Sequence, residues 1–432
     1  MPQIINKKSR ILMFAPIFAP FANPEAIVNN KLALACIEHG WDIDIITRKI
    51  PTMYGYNYGS NWEDPWLSLK THTYEVDYEV GGPVRKKYEA LRNGLKMGYL
   101  LEGCRWAHHA YKLAEQLHKK KKYDVVFSRS LPDAGHMPAL KFSKIAQIPW
   151  IANWNDPTGD KNPHPFGKGS NAKLGIYAQK LLDDIATRAD CLTFPSERMR
   201  KYICGYLGHG TYKKSSVVPH AAMEFTFTKK VNTSVFNLCH AGNIYAARNP
   251  ENLFIALKDF SENPYVRHDI KFTIIGIENV NLKEKAKKYK IEKIINFTGP
   301  LSYADTIGKL VENDVLVVLE GQYDEGIYLP SKFIDYVQTG KPILAVSPKI
   351  STLNDILQKY RGGIAADCCS PKTITAALFE LYKHWENGSL DDEYGSQNLY
   401  SLFSPETIIE QYETIFKKID IIDDVSRLVS MR

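Results

Sequence analysis

The chain is predicted to fold as two α/β domains of Rossmann type, each a parallel sheet covered by helices on both faces. Three observations predict this. Apolar runs of strand length alternate with helix-length amphipathic stretches from one end of the chain to the other. Some of the runs, such as 11–15, are continuously apolar, as strands buried on both faces are. At 432 residues the chain also exceeds one ordinary hydrophobic core, so two domains of roughly 200 residues each are the natural division.

Residues 11–15, Ile-Leu-Met-Phe-Ala, end at Pro16 and read as the first buried strand. A loop to Pro24 leads into a helix on which Val28, Leu32, Ala35 and Cys36 share one face, stopped at His39-Gly40. Residues 43–47 are the next strand, completing a βαβ opening. The theme repeats with strands at 125–128, 150–154, 191–194 and 217–218, and with helices near 134–146, up to Arg188 and from Ser196. A second strand-first series begins beyond Val218-Pro219-His220, which places the boundary near Met223 and gives domains 1–222 and 223–403. The second domain has strands at 236–240, 271–275, 294–297, 315–319 and 343–346. From Ser404 a last helix, 404–432, carries Ile408, Ile409, Tyr412 and Ile415 at helical spacing behind a Ser-Pro-Glu start.

Composition narrows the function classes. Hydrophobic residues make up 44% and charged residues 24%, ordinary for a soluble globular chain. A formal charge of +7 is mild at this size and does not require nucleic acid; a phosphate-bearing partner or an anionic membrane accounts for it. The seven cysteines show no C-x-x-C spacing and are odd in number, which argues against a zinc site or a disulfide framework and for reduced thiols in a cytosolic protein. Residues 1–10 lack the apolar core of a signal peptide, and no run approaches the ~18 apolar residues of a membrane span. Neither a G-x-x-x-x-G-K-[ST] loop nor a G-x-G-x-x-G after the first strand is present, against ATPase and dinucleotide readings. The one Asp-x-Asp, Asp42-Ile43-Asp44, enters a strand and reads as surface, so no metal is expected.

The chemistry concentrates between Asp314 and Pro348. There a buried-looking strand, a polar loop with Gly326, a helix opening at Pro330-Ser331-Lys332 and a second strand follow one another. This order sets a helix N-terminus at the carboxyl end of a strand, where backbone N–H groups hold anions. Lys332 in the first turn opposes the helix dipole, a conflict that a bound phosphate relieves. Gly242-Asn243 also follows a strand and precedes a helix at 250–260, letting backbone approach a diphosphate, with Arg248 six residues on.

These segments resemble the nucleotide-sugar site of glycosyltransferase family 4 (group 1), whose GT-B fold pairs two Rossmann-like domains facing across a cleft. The resembling stretches are His240-Ala241-Gly242-Asn243 with Arg248-Asn249-Pro250, Phe272-Thr273-Ile274-Ile275-Gly276, Phe297-Thr298-Gly299, and the block from Leu329 to Pro342. The resemblance implies donor contacts by Gly242, Asn243, Arg248, Gly276, Ser331 and Lys332, with Arg248 and Lys332 stabilising the leaving diphosphate. It implies ribose binding by Asp335, whose carboxylate takes two hydroxyl hydrogen bonds. Glu325-Gly326-Ile327 is similar to the loop that meets the donor sugar, with Glu320 and Asp324 competing for that role. Gly299-Pro300-Leu301 is similar to the turn bordering the nucleobase, or is a plain strand-to-helix turn.

Departures are visible as well. The family's Glu-x7-Glu spacing is replaced by Glu325 and Asp335 around a Pro-Ser-Lys sequence, and the Gly-Gly of the first loop is absent from residues 18–25. Trp154-Asn155-Asp156-Pro157 ends a strand where relatives place a charged pair beside the transferred sugar. Asp156 either orients a hydroxyl there or belongs to an Asn-Asp-Pro turn.

The resemblance implies a retaining, metal-independent transferase without a cofactor, cytoplasmic, and active in polysaccharide biosynthesis. Its donor is a UDP- or GDP-sugar and its acceptor a hydroxyl on a glycan or lipid-linked saccharide; no nucleic-acid partner is expected. It also implies a last helix that crosses back to the N-terminal domain. Residues 85–122 carry eleven Lys/Arg against three Glu, with Tyr88, Leu91, Leu95 and Tyr99 at helical spacing. They read either as peripheral contact with an anionic membrane or as a solvated helix whose apolar face is core. Rival readings are a nucleotide-sugar epimerase of similar fold and a catalytically silent subunit.

Overall fold

The computed structural model describes residues 9–21, 23–49, 62, 64–78, 82–208, 210–225, 234–244, 248–278 and 280–430, with side chains up to residue 419. Residues 1–8, most of the stretch that lacks the apolar core of a signal peptide, lie outside them. The chain divides into two compact units, Met1–Ala221 with Pro405–Arg432, and Ala222–Ser404.

In chain order the first unit contains β1 (Arg10–Phe14), α1 (Pro24–Glu38), β2 (Asp42–Arg48), β3 (Thr73–Val76), α2 (Pro83–Met97), α3 (Cys104–Lys120), β4 (Val125–Ser130), α4 (His136–Ala146), β5 (Trp150–Trp154), α5 (Ile176–Arg188), β6 (Cys191–Phe194), α6 (Glu197–Leu207) and β7 (Ser215–Val217). The second continues with β8 (Val235–Ala241), α7 (Glu251–Ser261), β9 (Asp269–Ile275), α8 (Val280–Lys288), β10 (Ile295–Gly299), α9 (Tyr303–Val311), β11 (Val315–Leu319), α10 (Ser331–Thr339), β12 (Ile343–Ser347), α11 (Thr352–Tyr360), β13 (Gly363–Asp367), α12 (Pro371–Glu386), α13 (Leu390–Tyr394) and α14 (Gln397–Phe403). The last helix is α15 (Pro405–Ser430).

The first unit holds a seven-stranded sheet of order β3-β2-β1-β4-β5-β6-β7, and the second a six-stranded sheet of order β10-β9-β8-β11-β12-β13. The pairings at the centre of each sheet are parallel. β11 shows why the runs are continuously apolar. Val315, Val317 and Leu319 pack into one core of the second unit, and Leu316 and Val318 into the other, so both faces of the strand are covered. In β1, Ile11, Leu12, Met13 and Phe14 are likewise buried.

Two edge strands, β3 (sequence Thr-Tyr-Glu-Val) and β13 (Gly-Ile-Ala-Ala-Asp), were not anticipated, because edge strands pack on fewer neighbours and carry no continuous apolar run. The segment 85–122 is two helices, α2 and α3, broken at Gly98 in the left-handed conformation. Asp44 corrects the surface reading of Asp42-Ile43-Asp44. It is buried, accepts from the Tyr123 hydroxyl at 2.5 Å and pairs with Lys121 at 3.0 Å, while Asp42 pairs with the same lysine at 2.5 Å. Both carboxylates are committed to that cluster.

The C-terminal helix returns to the first unit. Ile408, Ile409, Tyr412 and Ile415 are buried, the Tyr412 ring stacks on Phe127 of β4 at 4.9 Å, and Phe416 lies 5.1 Å from Trp41.

Candidate active site

Parallel α/β sheets bind ligands at the carboxyl ends of their strands where the strand order reverses, because the loops leaving the two central strands part in opposite directions. In the second unit that point lies between β8 and β11. At the end of β8 stands Gly242, with φ +116°; a β-carbon there would lie 2.6 Å from the Lys332 Nζ, so only glycine admits the lysine at this distance. Lys332 belongs to the first turn of α10, which carries no side-chain cap and no acidic residue. The N-terminal end of a helix carries partial positive charge, and Lys332 adds its own there.

Lys332 Nζ is 3.3 Å from Nε2 of the buried His240, whose Nδ1 is 2.8 Å from the Val317 carbonyl. A carbonyl only accepts, so Nδ1 carries the proton and Nε2 accepts from the lysine. Burial, then the Lys332 charge, hold His240 neutral, well below the usual imidazole range. Burial and the nearby Arg248 charge bring Lys332 down to about 7, against the pull of Asp335 and Glu320. Glu320, immediately after β11, is 4% exposed, and burial pushes its carboxyl up to about 8 although Arg248 and Lys332 oppose this. Its Oε2 is buried without a hydrogen-bond partner. The cluster therefore concentrates cations and an acid that would shed charge in the absence of a ligand, the electrostatics of a site awaiting an anion.

The remaining donor-side residues fall as follows. Gly326 donates its N–H to the Ile350 carbonyl at 2.9 Å and accepts from the Thr352 N–H at 2.8 Å; a β-carbon on it would lie 2.7 Å from Ser351 and 3.4 Å from Glu320 Oε2. Ile327 is buried, while Glu325 and Asp324 are exposed. Of the three acids competing for this loop, Glu320 alone is buried beside the cationic cluster. Asp335 accepts from the Tyr303 hydroxyl at 2.8 Å, and Tyr303 accepts from Gln338 at 3.3 Å. Asn243 Oδ1 accepts the Ile277 N–H at 2.8 Å, fastening the loop after β8 to the end of β9 at Gly276. Leu301 is exposed beyond β10, and Ser331 opens α10. Arg248 lies just before α7, and residues 245–247 ahead of it are outside the described ones.

Sequence reasoning gave Glu320 only as a competitor and assigned no role to His240. The signal for Glu320 was a single acid ending an otherwise wholly apolar strand.

In the first unit the switch point lies between β1 and β4. Asp156, half-buried, follows β5. Beside it Asn155 donates through Nδ2 to both carboxylate oxygens of Glu25, at 2.8 and 2.9 Å, and Asn29 donates to Oε1 at 3.2 Å. Burial raises the Glu25 carboxyl to about 7, against the nearby Arg129 charge. Glu25 was not anticipated, because Asn23-Pro24-Glu25 reads as an ordinary capped helix start, and Asn23 Oδ1 does accept the Glu25 N–H at 2.8 Å. Among the described residues one group, Asp367, Cys368 and Cys369, brings three possible metal-ligand atoms within 4.8 Å of one another.

Residues 224–396 match the family described as glycosyl transferases group 1. The match covers nearly all of the second unit, where the cationic cluster stands. Among solved structures the chain is similar to sucrose-phosphate synthase from Thermosynechococcus elongatus, at TM-score 0.67 and 13% identity over 96% of this chain and 100% of that one. It is similar to Anabaena HepE in complex with UDP and glucose, at TM-score 0.63 and 13% identity over 95% and 100%. A putative UDP-N-acetylglucosamine 2-epimerase from Listeria monocytogenes is also similar, at TM-score 0.55 and 12% identity over 95% and 97%. No curated protein matches the chain. The fold is of GT-B type, with two Rossmann-like parallel-sheet domains in one chain.

Proposed function

We propose that this chain is a glycosyltransferase that moves a sugar from a nucleotide diphosphate sugar to a hydroxyl acceptor, with retention and without a metal ion. One observation carries the reading: Gly242, Arg248, Glu320, Lys332 and the start of α10 converge on the switch point of the unit that matches group 1 glycosyl transferases. Arg248, Lys332 and the helix N-terminus supply positive charge where the departing diphosphate gains negative charge, which stabilises the transition state more than the ground state. Asp335 is assigned to the ribose, Gly326 and Ile327 to the sugar, and Gly276 and Leu301 to the nucleobase side. In the first unit Asp156 stands on the acceptor side.

The UDP and glucose in the HepE complex support a UDP-sugar donor. The epimerase similarity reflects shared fold, whereas the group 1 match favours transfer. Among the described residues no helix is long and apolar enough to cross a membrane. We assign the chain to the cytoplasm, in peripheral contact with anionic lipid through α2.

The test is a thermal-shift screen of UDP, GDP and their sugars. A nucleotide bound only by the folded chain at ~100 times its dissociation constant adds roughly 2.7 kcal/mol of stability. Transfer from the selected donor should survive EDTA. A chain stabilised by no nucleotide, or one whose transfer is lost to EDTA and restored by Mn²⁺, contradicts the reading or its metal-free form respectively.

A further inference from the structure

The turn that follows β13 brings a carboxylate and two thiols together. Asp367 ends the strand, Cys368 and Cys369 form the turn, and Ser370 caps α12 by accepting the Thr373 N–H. The Ser370 N–H donates to the Asp367 carbonyl at 3.0 Å and the Cys369 N–H to Asp367 Oδ1 at 2.9 Å, so the chain folds back at once. A strand would send successive side chains to opposite faces, whereas here a carboxylate oxygen and two Sγ atoms lie within 4.8 Å of one another. The backbone of Cys368 is fixed from three directions. Its N–H donates to the Ser347 carbonyl at 2.9 Å, and its carbonyl accepts from Asn252 at 2.8 Å and Gln322 at 3.5 Å. Ligand atoms carried on a backbone fixed in this way need little further ordering to take a cation.

The donor set says which cation. Tetrahedral zinc, with bonds of about 2.3 Å to sulfur and about 2.1 Å to oxygen, spaces its ligands roughly 3.5–4 Å apart, which small side-chain rotations reach from this arrangement. Two sulfurs favour a soft or borderline ion such as Zn²⁺ or Cd²⁺, while Mg²⁺, Mn²⁺ and Ca²⁺ take oxygen. Cys369 is exposed and gives an ion its way in; Cys368 is 2% exposed, and its S–H donates weakly to the Gly321 carbonyl at 3.8 Å. The remaining cysteines are all buried. Adjacent cysteines show no C-x-x-C spacing, and only the turn brings their sulfurs together.

We propose that Asp367, Cys368 and Cys369 form a binding site for a zinc-class cation, with water completing the tetrahedron. As the two sulfur–metal bonds form, both thiols release their protons to solvent and no electron is transferred. The proposal does not rest on the glycosyltransferase reading.

The full-length chain, kept reduced with a phosphine and stripped with EDTA, is titrated with Cd²⁺ while the ultraviolet thiolate-to-cadmium charge-transfer absorption is followed. The expected result is one Cd²⁺ per chain with the absorption of two thiolates, displaced by Zn²⁺ and untouched by excess Mg²⁺. Cys369→Ser should halve that absorption and weaken binding by about tenfold or more. Asp367→Asn, whose side-chain oxygen can still accept the Cys369 N–H, should keep the two-thiolate absorption and weaken binding by a similar factor. Both variants should keep the wild-type Tm, since Cys369 is exposed and the turn retains its hydrogen bonds. No charge-transfer absorption in the wild-type chain, full absorption in Cys369→Ser, or an unchanged Cd²⁺ affinity in Asp367→Asn overturns the proposal.

Discussion

Lys332 sits where a helix dipole disfavours a cation, and its neighbours His240 and Arg248 add no relief; only Glu320 and Asp335 do. Such a group is retained at a cost in the free chain, and an anion bound beside it would remove that cost. Arg248→Ala and Lys332→Ala are each expected to cut kcat by roughly two to three orders of magnitude, about 2–4 kcal/mol of transition-state stabilisation, with Tm near wild type. A folded Lys332→Ala enzyme with normal turnover would remove Lys332 from the site. The same electrostatics fix a pH dependence. In the free chain Lys332 loses its proton near 7 and Glu320 near 8, and a bound diphosphate favours the protonated form of both. Binding therefore takes up protons above about pH 7, and UDP affinity should fall as pH rises through 7–8, by at most about tenfold per pH unit for each proton. Calorimetry in buffers of different ionisation heat measures the uptake directly; none at pH 8 contradicts the assignment. The place of Lys332 at a helix start was legible in the sequence and Arg248 was singled out through the family resemblance, and the structure sets both charges near Glu320. The upward shift of the Glu320 carboxyl was not legible, because it depends on burial by residues distant in sequence.

At the scale of elements, α2 separates two readings that the sequence left open. Val84, Tyr88, Leu91 and Leu95 are 81%, 62%, 52% and 69% exposed, and the helix buries Asn93, Gly94 and Met97 instead. Gly94 explains the orientation. A β-carbon there would lie 2.6 Å from Leu100 Cδ2 and 2.8 Å from the Tyr99 carbonyl oxygen, so the tight approach of the chain turns the apolar stripe outward. Tyr99, counted with the stripe by spacing, is buried beyond the end of α2 and donates to Asp184 at 2.6 Å. An exposed apolar stripe on a helix bearing Arg85, Lys86, Lys87, Arg92 and Lys96 has the chemistry of a surface that enters anionic lipid. The purified chain should bind phosphatidylserine vesicles at low salt and lose them as salt rises, and Leu91→Glu with Leu95→Glu should abolish binding without changing Tm. Wild-type protein that ignores such vesicles at low salt would leave α2 as a solvated helix. Interior strands such as β1 and β11 were readable because burial on both faces favours an unbroken apolar run. The edge strands β3 and β13 carry no such demand, and Gly98, which divides the basic segment, shows its left-handed turn only in three dimensions.

Across the whole molecule, the first unit is completed by the last helix. Tyr412 is buried against Phe127 in the middle of β4, so Tyr412→Ala should destabilise the first unit by about 3–5 kcal/mol, seen as a lower urea midpoint, while leaving UDP binding by the second unit close to wild type. Loss of UDP binding in a folded variant would contradict that separation. Alternating strands and helices, and with them the two parallel sheets, could be read from the chain alone, as could the turn at Gly242 and the helix start at Lys332, because periodicity, glycine positions and helix starts are local properties; Arg248 and Asp335 were singled out through the family resemblance. Folding in three dimensions settles that Asp44 is buried with Tyr123 and Lys121, that α2 turns its apolar side outward, and that Glu25 meets Asn155 across 130 residues. These outcomes depend on strand order and on burial by residues far apart in the chain, and neither is written in local periodicity.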